Sequence, residues 1–408
     1  MYHSLFRSSA SILITAFLSC IVLFSAGQKD SVYHIGLILP LQVEDNIDKL
    51  NTIATARDLY TANRVNFDED ATIALGFYQG LVEALSTNKD SVRVALSVYD
   101  CGGLDSITAL LLQKPELKRQ DVIIGPVATS NAKLVADFCR DNKIVNIQPF
   151  TPSKSLANGN PYHLKLAPTI DAHADYIFNS IVDSFPGANI IIYTPESENS
   201  ANVAKRFDSL FRDYNKTASP AFTITMLNAK DMMLDGKKTT VAEQLRDRKV
   251  NILIVTSFEE SFVNAVLHLL YNERVKKSII LYGMPNWLSG DIMRLDYLND
   301  YLTRVSDGFL VDSSKFEAKA FALNFRADNG YEPTKYAYLG YDVMNFTTQS
   351  LKLYGRDFLD DVCSQRYPGI AYKFDISRNK GTGGSINYYE NRHVNVFKVQ
   401  DYRLVRVW

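Results

Sequence analysis

Short runs of valine, isoleucine and leucine alternate along this chain with segments in which apolar residues return every three or four positions. The first runs are YHIGLILPL (33–41), VRVALSVYD (92–100), DVIIG (121–125) and KIVNIQPF (143–150). A second series reads NIIIYT (189–194), AFTITML (221–227), NILIVTS (251–257) and SIILYG (278–283). Runs that are apolar at successive positions suit strands covered on both faces, the usual state of a parallel sheet. Between them, Ile73, Phe77, Leu81 and Leu85 repeat every four residues behind Asp68, Glu69 and Asp70, whose charges favour a helix start. Ala174, Phe178, Ile181 and Phe185 form a second such face. Val203, Phe207, Leu210 and Phe211 form a third, and Phe262, Val266 and Leu269 a fourth. This β-α-β-α order predicts an α/β fold of doubly wound parallel sheets.

The pattern falls into two blocks of four strands, on either side of YHLKLAPTIDAH (162–173), which reads as a crossing between two similar lobes. Longer helices are predicted over 314–329 and 334–354, separated by NGYEP, and an antiparallel pair is predicted around the glycine-rich turn RNKGTGG (378–384). A polar stretch, VEDNIDKLNTIATARDLYTANRVN (43–66), is inserted between the first strand and its helix, where it can serve as a lid or a partner surface.

The first 27 residues stand apart. Arg7 precedes an apolar run that ends in Ser25, Ala26 and Gly27, the layout of a cleaved secretory signal, so we expect a periplasmic protein. An uncleaved anchor is one alternative. Lipid attachment at Cys20 is another, disfavoured because Phe17 fits a lipoprotein box poorly and the apolar run continues past Cys20. The remaining chain, roughly 380 residues, is too long for a single core. A formal charge of −1 without a basic block argues against nucleic acid as a partner. Cys101, Cys139 and Cys363 allow one disulfide at most, and a chain this long does not need one.

DVIIGPVATSNAKLVADFC (121–139) poses the functional question. Its strand stops at Gly125-Pro126, and Thr129, Ser130 and Asn131 precede the next helical period. Open parallel sheets bind ligands beyond the carboxyl ends of their strands, and a helix starting there offers backbone N–H groups and a positive dipole end to an anion. The hydroxyls of Thr129 and Ser130 either cap that helix or reach the ligand.

In the order and spacing of these motifs the chain resembles the type I periplasmic solute-binding proteins, in particular the branched-chain amino-acid receptors of ABC transporters. The resemblance covers nearly all of 33–400. It is strongest over VYDCGGLDSITALLL and DVIIGPVATSNAKLVADFCRDNKIVNIQPFTPSKSL, and the tail with YEPTKYAYLGYD is similar to members found in Bacteroidota. It implies two lobes, 28–166 with 285–360 and 167–284 with 361–408, that close on a small ligand in the cleft between them. It places ligand contacts at Thr129, Ser130, Thr151 and Ser153 from the first lobe, and at Phe258, Asn286 and Trp287 from the second. Three departures stand out. Pro152 replaces a threonine of the family loop, the tyrosine expected near ESENS is missing, and the disulfide partner of Cys101 falls on Ala128, which leaves Cys139 as a substitute. A carboxylate that would face an α-amino group has no counterpart at Asn286 or Phe258; Glu198, in ESENS, or Glu259 could compensate.

No catalytic set is legible. GTGGS (381–385) lies in a hairpin turn, there is no G-x-S-x-G elbow or CxxC, and His163, His173 and Asp175 match no metal spacing. The expected function is therefore non-enzymatic and free of cofactor and metal. The chain is read as a monomeric extracytoplasmic protein that binds a small molecule for an ABC-type transporter or a sensor. The alternative is an interaction module with a degenerate site that regulates peptidoglycan machinery through an envelope protein, a use to which similar folds are put.

Overall fold

A computed structural model describes residues 32–55, 66–87, 92–229, 241–271, 277–288, 295–364, 366–381 and 383–408. The signal-like segment 1–27 and part of the inserted stretch, 56–65, lie outside these residues. In chain order the strands are β1 (Val32–Leu39), β2 (Arg93–Asp100), β3 (Val122–Ile124), β4 (Val145–Gln148), β5 (His163–Lys165), β6 (Asn189–Thr194), β7 (Thr223–Asn228), β8 (Asn251–Val255), β9 (Ile279–Tyr282) and β10 (Arg304–Asp307), followed by β11 (Arg366–Pro368), β12 (Lys373–Lys380), β13 (Ile386–Asn391), β14 (Asn395–Gln400) and β15 (Arg403–Arg406). The helices are α1 (Val43–Thr55), α2 (Glu69–Thr87), α3 (Asp105–Leu111), α4 (Thr129–Asn142), α5 (Ile170–Ser184), α6 (Glu198–Asn215), α7 (Val241–Gln244), α8 (Glu260–Leu270), α9 (Leu295–Asp300), α10 (Phe316–Asn329) and α11 (Lys335–Tyr354). Among these residues no helix is long and apolar enough to cross a membrane.

The chain forms two compact units, one of residues up to Pro168 with Phe309–His393, the other of Thr169–Gly308 with Val394–Trp408. The second and third crossings therefore fall later than the expected 284/285 and 360/361. Hydrogen bonding explains the shift. After β9 the chain adds β10 to the same sheet, and β12 and β13 return to the first sheet through parallel pairing of β13 with β5. Only β14 and β15 are left to join β10.

The first sheet has the order β11-β12-β13-β5-β4-β3-β1-β2, parallel from β2 through β13. One of its faces carries Ile35, Leu37 and Leu39, packed with Phe77 and Leu81 of α2 and Leu339 and Val343 of α11. Its other face carries Ile38 and Ile123 against Val135 and Cys139 of α4. Strands covered on both sides produce the continuous apolar runs seen in the sequence. Helices α2 and α11 touch backbone to backbone: a Cβ on Gly80 would lie 1.8 Å from the Ala337 carbonyl oxygen, and one on Gly340 2.0 Å from that of Phe77. Buried Asp342 of α11 accepts the backbone N–H groups of Ile370, Ala371 and Tyr372 at 2.8, 2.9 and 2.7 Å, which fixes the approach to β12. The inserted stretch is helical over α1, which buries only Val43.

The second sheet has the order β15-β14-β10-β9-β8-β6-β7, parallel from β7 to β10. Residues of β6 and β8 are buried throughout. Phe207 and Phe211 of α6 are fully buried, as the periodicity predicted, whereas Leu269 of α8, expected on an apolar face, is 57 % exposed. Trp408 ends the chain with its ring edge-on to Tyr176 and its indole N–H on Asp183.

Candidate functional site: the carboxyl-end edges of the two sheets

In the first unit, strands β1 to β4 point their carboxyl ends the same way, and the loops beyond them carry most of the predicted site. β3 ends at Ile124, and Gly125 adopts φ 98° with its Cα against the Ile38 carbonyl, where a Cβ would meet the oxygen at 2.2 Å. Only glycine turns the chain there. Ala128 is the N-cap of α4 and no side chain caps it. The hydroxyls of Thr129 and Ser130 are exposed on the first turn of that helix. Of the two readings open at the sequence level, capping by Thr129 or Ser130 is not what the structure shows, since both residues are inside the helix.

Thr129 Oγ1 lies 3.2 Å from Thr151 Oγ1. Thr151 is buried beyond the end of β4, and its Oγ1 also accepts the Ser153 N–H at 3.3 Å, while Ser153 Oγ lies 2.9 Å from Ser155 Oγ. Thr129 and Thr151 therefore form a hydroxyl pair beside the open start of α4, with Ser153 attached through its backbone N–H and Ser130 on the adjacent helical position.

Two residues that the sequence reading passed over hold this arrangement. Gln148, fully buried, donates from Nε2 to the Pro126 carbonyl at 2.9 Å and accepts the Phe150 N–H on Oε1 at 2.9 Å. One amide thus bridges the loop carrying Thr129 and the loop carrying Thr151. One layer down, Asn146 Nδ2 reaches the Ile123 carbonyl at 3.2 Å, and its Oδ1 pairs with His163 Nδ1 at 2.8 Å. The signal was present: KIVNIQPF carries two amides at alternate positions of an otherwise apolar run, hence on one face of a strand.

Two neighbouring helix starts at this edge are filled, whereas the short α3 after β2 begins at Leu104 with no side-chain cap. The Asp100 carboxylate accepts the N–H groups of Gln42, Val43 and Gly102 at 3.1, 3.0 and 2.9 Å, occupying the start of α1. Asp68 Oδ1 accepts from Ala71 at 3.2 Å at the start of α2. α4 keeps its first-turn N–H groups free of any side-chain cap, so its positive end faces outward uncompensated.

In the second unit the comparable edge follows β6, β8 and β9. Ser197 caps α6 through Ser200 N–H at 3.4 Å. Ser257 Oγ accepts the Glu259 N–H at 3.0 Å, and Phe258 between them is 38 % exposed. Trp287 is 4 % exposed; its Nε1 donates to the Ser257 carbonyl at 2.9 Å and its ring covers Gly283. It ties the loop after β9 to the loop after β8. Of Asn286 only the backbone is described, in a 3-10 turn over Pro285–Leu288. Glu198 and Glu259 are both exposed at this edge.

The remaining titratable groups are dispersed. His163 belongs to the first unit, whereas His173 lies in the second, paired with Ser306 Oγ at 2.9 Å, and Asp175 pairs with Arg206. Burial, with Lys165 adding to it at His163, pushes both imidazoles down to about 3. Cys101 and Cys139 sit in one buried cluster as free thiols, and Cys363 is also free, so the substitute disulfide is not formed. Burial holds the Cys101 thiol up at about 11 and raises Cys139 further. Among the described residues no three His, Cys, Asp or Glu side chains are grouped to hold a metal.

No protein-family model and no curated protein matches the chain. Solved structures do match it in fold. A putative branched-chain amino acid ABC transporter protein from Rhodospirillum rubrum aligns with TM-score 0.63 at 11 % identity, over 92 % of this chain and 100 % of that one. A solute-binding protein of an ABC transporter from Rhodopseudomonas palustris, in complex with 3,4-dihydroxybenzoic acid, aligns with TM-score 0.51 at 13 % identity, over 93 % and 97 %. LpoA from Haemophilus influenzae aligns with TM-score 0.57 at 14 % identity, over 93 % of this chain and 59 % of that one. The chain has the fold of the type I periplasmic binding proteins.

Proposed function

We propose that the chain is an extracytoplasmic solute-binding protein that takes up a small carboxylate-bearing molecule on the first unit for a transporter or sensor. The open start of α4 beside the Thr129–Thr151 hydroxyl pair carries this reading. The backbone N–H groups of that turn and the two hydroxyls supply donors for one carboxylate, in a place where the starts of α1 and α2 are already occupied by Asp100 and Asp68. Ser130 and Ser153 extend the donor set on the same unit. The fold match to a protein in complex with an aromatic carboxylate supports the ligand class.

Native mass spectrometry of freshly purified protein, followed by calorimetry with 3,4-dihydroxybenzoate and leucine, tests the reading. A retained acid or saturable binding is expected, and Thr129→Ala should cost about 1.5–3 kcal/mol of affinity while lowering the melting temperature only slightly, since Thr129 caps nothing and gives up one hydroxyl contact to Thr151. The fold match to LpoA favours a second reading, an envelope interaction module. An empty protein that binds no small acid but captures a cell-envelope protein would decide for it.

A further inference from the structure

The first unit has a second apolar face that its own core does not use. Helix α10 buries Ala318, Phe321 and Phe325, the two phenylalanines in a cluster with Ala337, Tyr338 and Ala371. On the opposite side of the same helix Phe316, Ala320, Leu323 and Ala327 recur at intervals of four, three and four residues, the spacing of a helix–helix seam. Phe316 is 80 % exposed and Leu323 62 %. Single exposed apolar side chains are ordinary. Two large ones a heptad apart on one line, with alanines between them, make a stripe.

The charges beside the stripe are sorted by sign. Lys315, Lys319 and Arg326 run along one flank, Glu317 and Asp328 along the other, and all five are exposed. We propose that this face pairs with the same face of a second copy of the chain, the two helices lying parallel about a two-fold axis. Each acidic flank then meets the other copy's basic flank. Glu317 and Lys319, like Asp328 and Arg326, differ by two residues, about 3 Å along a helix axis, so both pairs are within reach. An antiparallel pair would set basic against basic. Arg326 already touches Glu332 in its own chain, an exposed contact of small worth that it can share. Burial, and next the neighbouring Asp328, hold the Glu83 carboxyl above its ordinary value, and a partner cation at Asp328 relieves that repulsion.

A seam one helix long is small beside the roughly 800 Å² per partner of a standard interface, so pairing is weak and concentration-dependent. It is independent of the ligand reading, and it replaces the monomer expected from sequence.

Sedimentation velocity from micromolar to near-millimolar protein tests it, together with cysteine cross-linking in a Cys363→Ser background. Wild type should dimerise with concentration, and Leu323→Glu, at an exposed position that leaves the melting temperature unchanged, should weaken association at least about tenfold. Phe316→Cys copies should cross-link to one another. A monomer throughout, dimers indifferent to Leu323→Glu, or Phe316→Cys joining only to Ala327→Cys would each overturn the proposal. So would a stripe shielded only by added lipid vesicles or another envelope protein.

Discussion

Gly80 and Gly340 face each other across α2 and α11, each blocked by the other helix's carbonyl oxygen. Glycine inside a helix usually costs about 1 kcal/mol against alanine. Here the sign reverses: Gly80→Ala or Gly340→Ala should destabilise by about 1–3 kcal/mol, because the backbones must part. Urea unfolding measures it, and a stabilised Gly80→Ala would show that the helices stand further apart.

Gln148→Ala should cost about 1–3 kcal/mol by stranding the Pro126 carbonyl and the Phe150 N–H. If the ligand reading holds, affinity falls as well, since the spacing of Thr129 and Thr151 depends on that amide. A variant as stable as wild type would mean the loops are held elsewhere.

His173 gives a pH signature. Its folded pKa is depressed to about 3 by burial, so the unfolded chain binds its proton first on acidification. Its contribution is complete above an unfolded value near 6.5 and is lost as pH falls toward 3, about 2 kcal/mol by pH 5. The stability gap between wild type and His173→Gln should therefore shrink by that amount between pH 7 and 5. A constant gap would place a charged imidazole in the fold.

Reductant should leave the melting temperature unchanged, because Cys101, Cys139 and Cys363 are free. A fall on reduction would reveal a bridge between Cys101 and Cys139.

Branched-chain amino acids should bind more weakly than an aromatic acid. Glu196, Glu198, Glu259 and Glu260 are carboxylates at the second unit's edge, and all are exposed, so water screens what they offer an ammonium group. Leucine saturating the protein at micromolar concentration, with 3,4-dihydroxybenzoate inert, would reverse the assignment.

The α/β order was legible because strands buried on both faces write unbroken apolar runs, and β6 and β8 match their predicted limits closely. The three-residue β5 was hidden inside a stretch taken for a crossing, and β10, at four residues, carries too little pattern to announce itself. Those two strands decide where the units part. The proposed contacts at Thr129 and Thr151 rest on their place after strands and on the family resemblance. Gln148 was missed because a buried amide whose two bonds go to backbone leaves no motif. Trp287 was assigned to the ligand through the family resemblance; the ring's burial on Gly283 depends on a contact that spacing does not encode.

The order of the returning strands has a consequence for biosynthesis. A chain made from its amino end has β1 to β5 early, yet the first sheet waits for β11 to β13, and the second lacks β14, β15 and the Trp408 contacts until residues 394–408 are made. Neither half can be cut out as one continuous piece, and deleting the last fifteen residues, Val394–Trp408, would strip two strands from a sheet begun two hundred residues earlier.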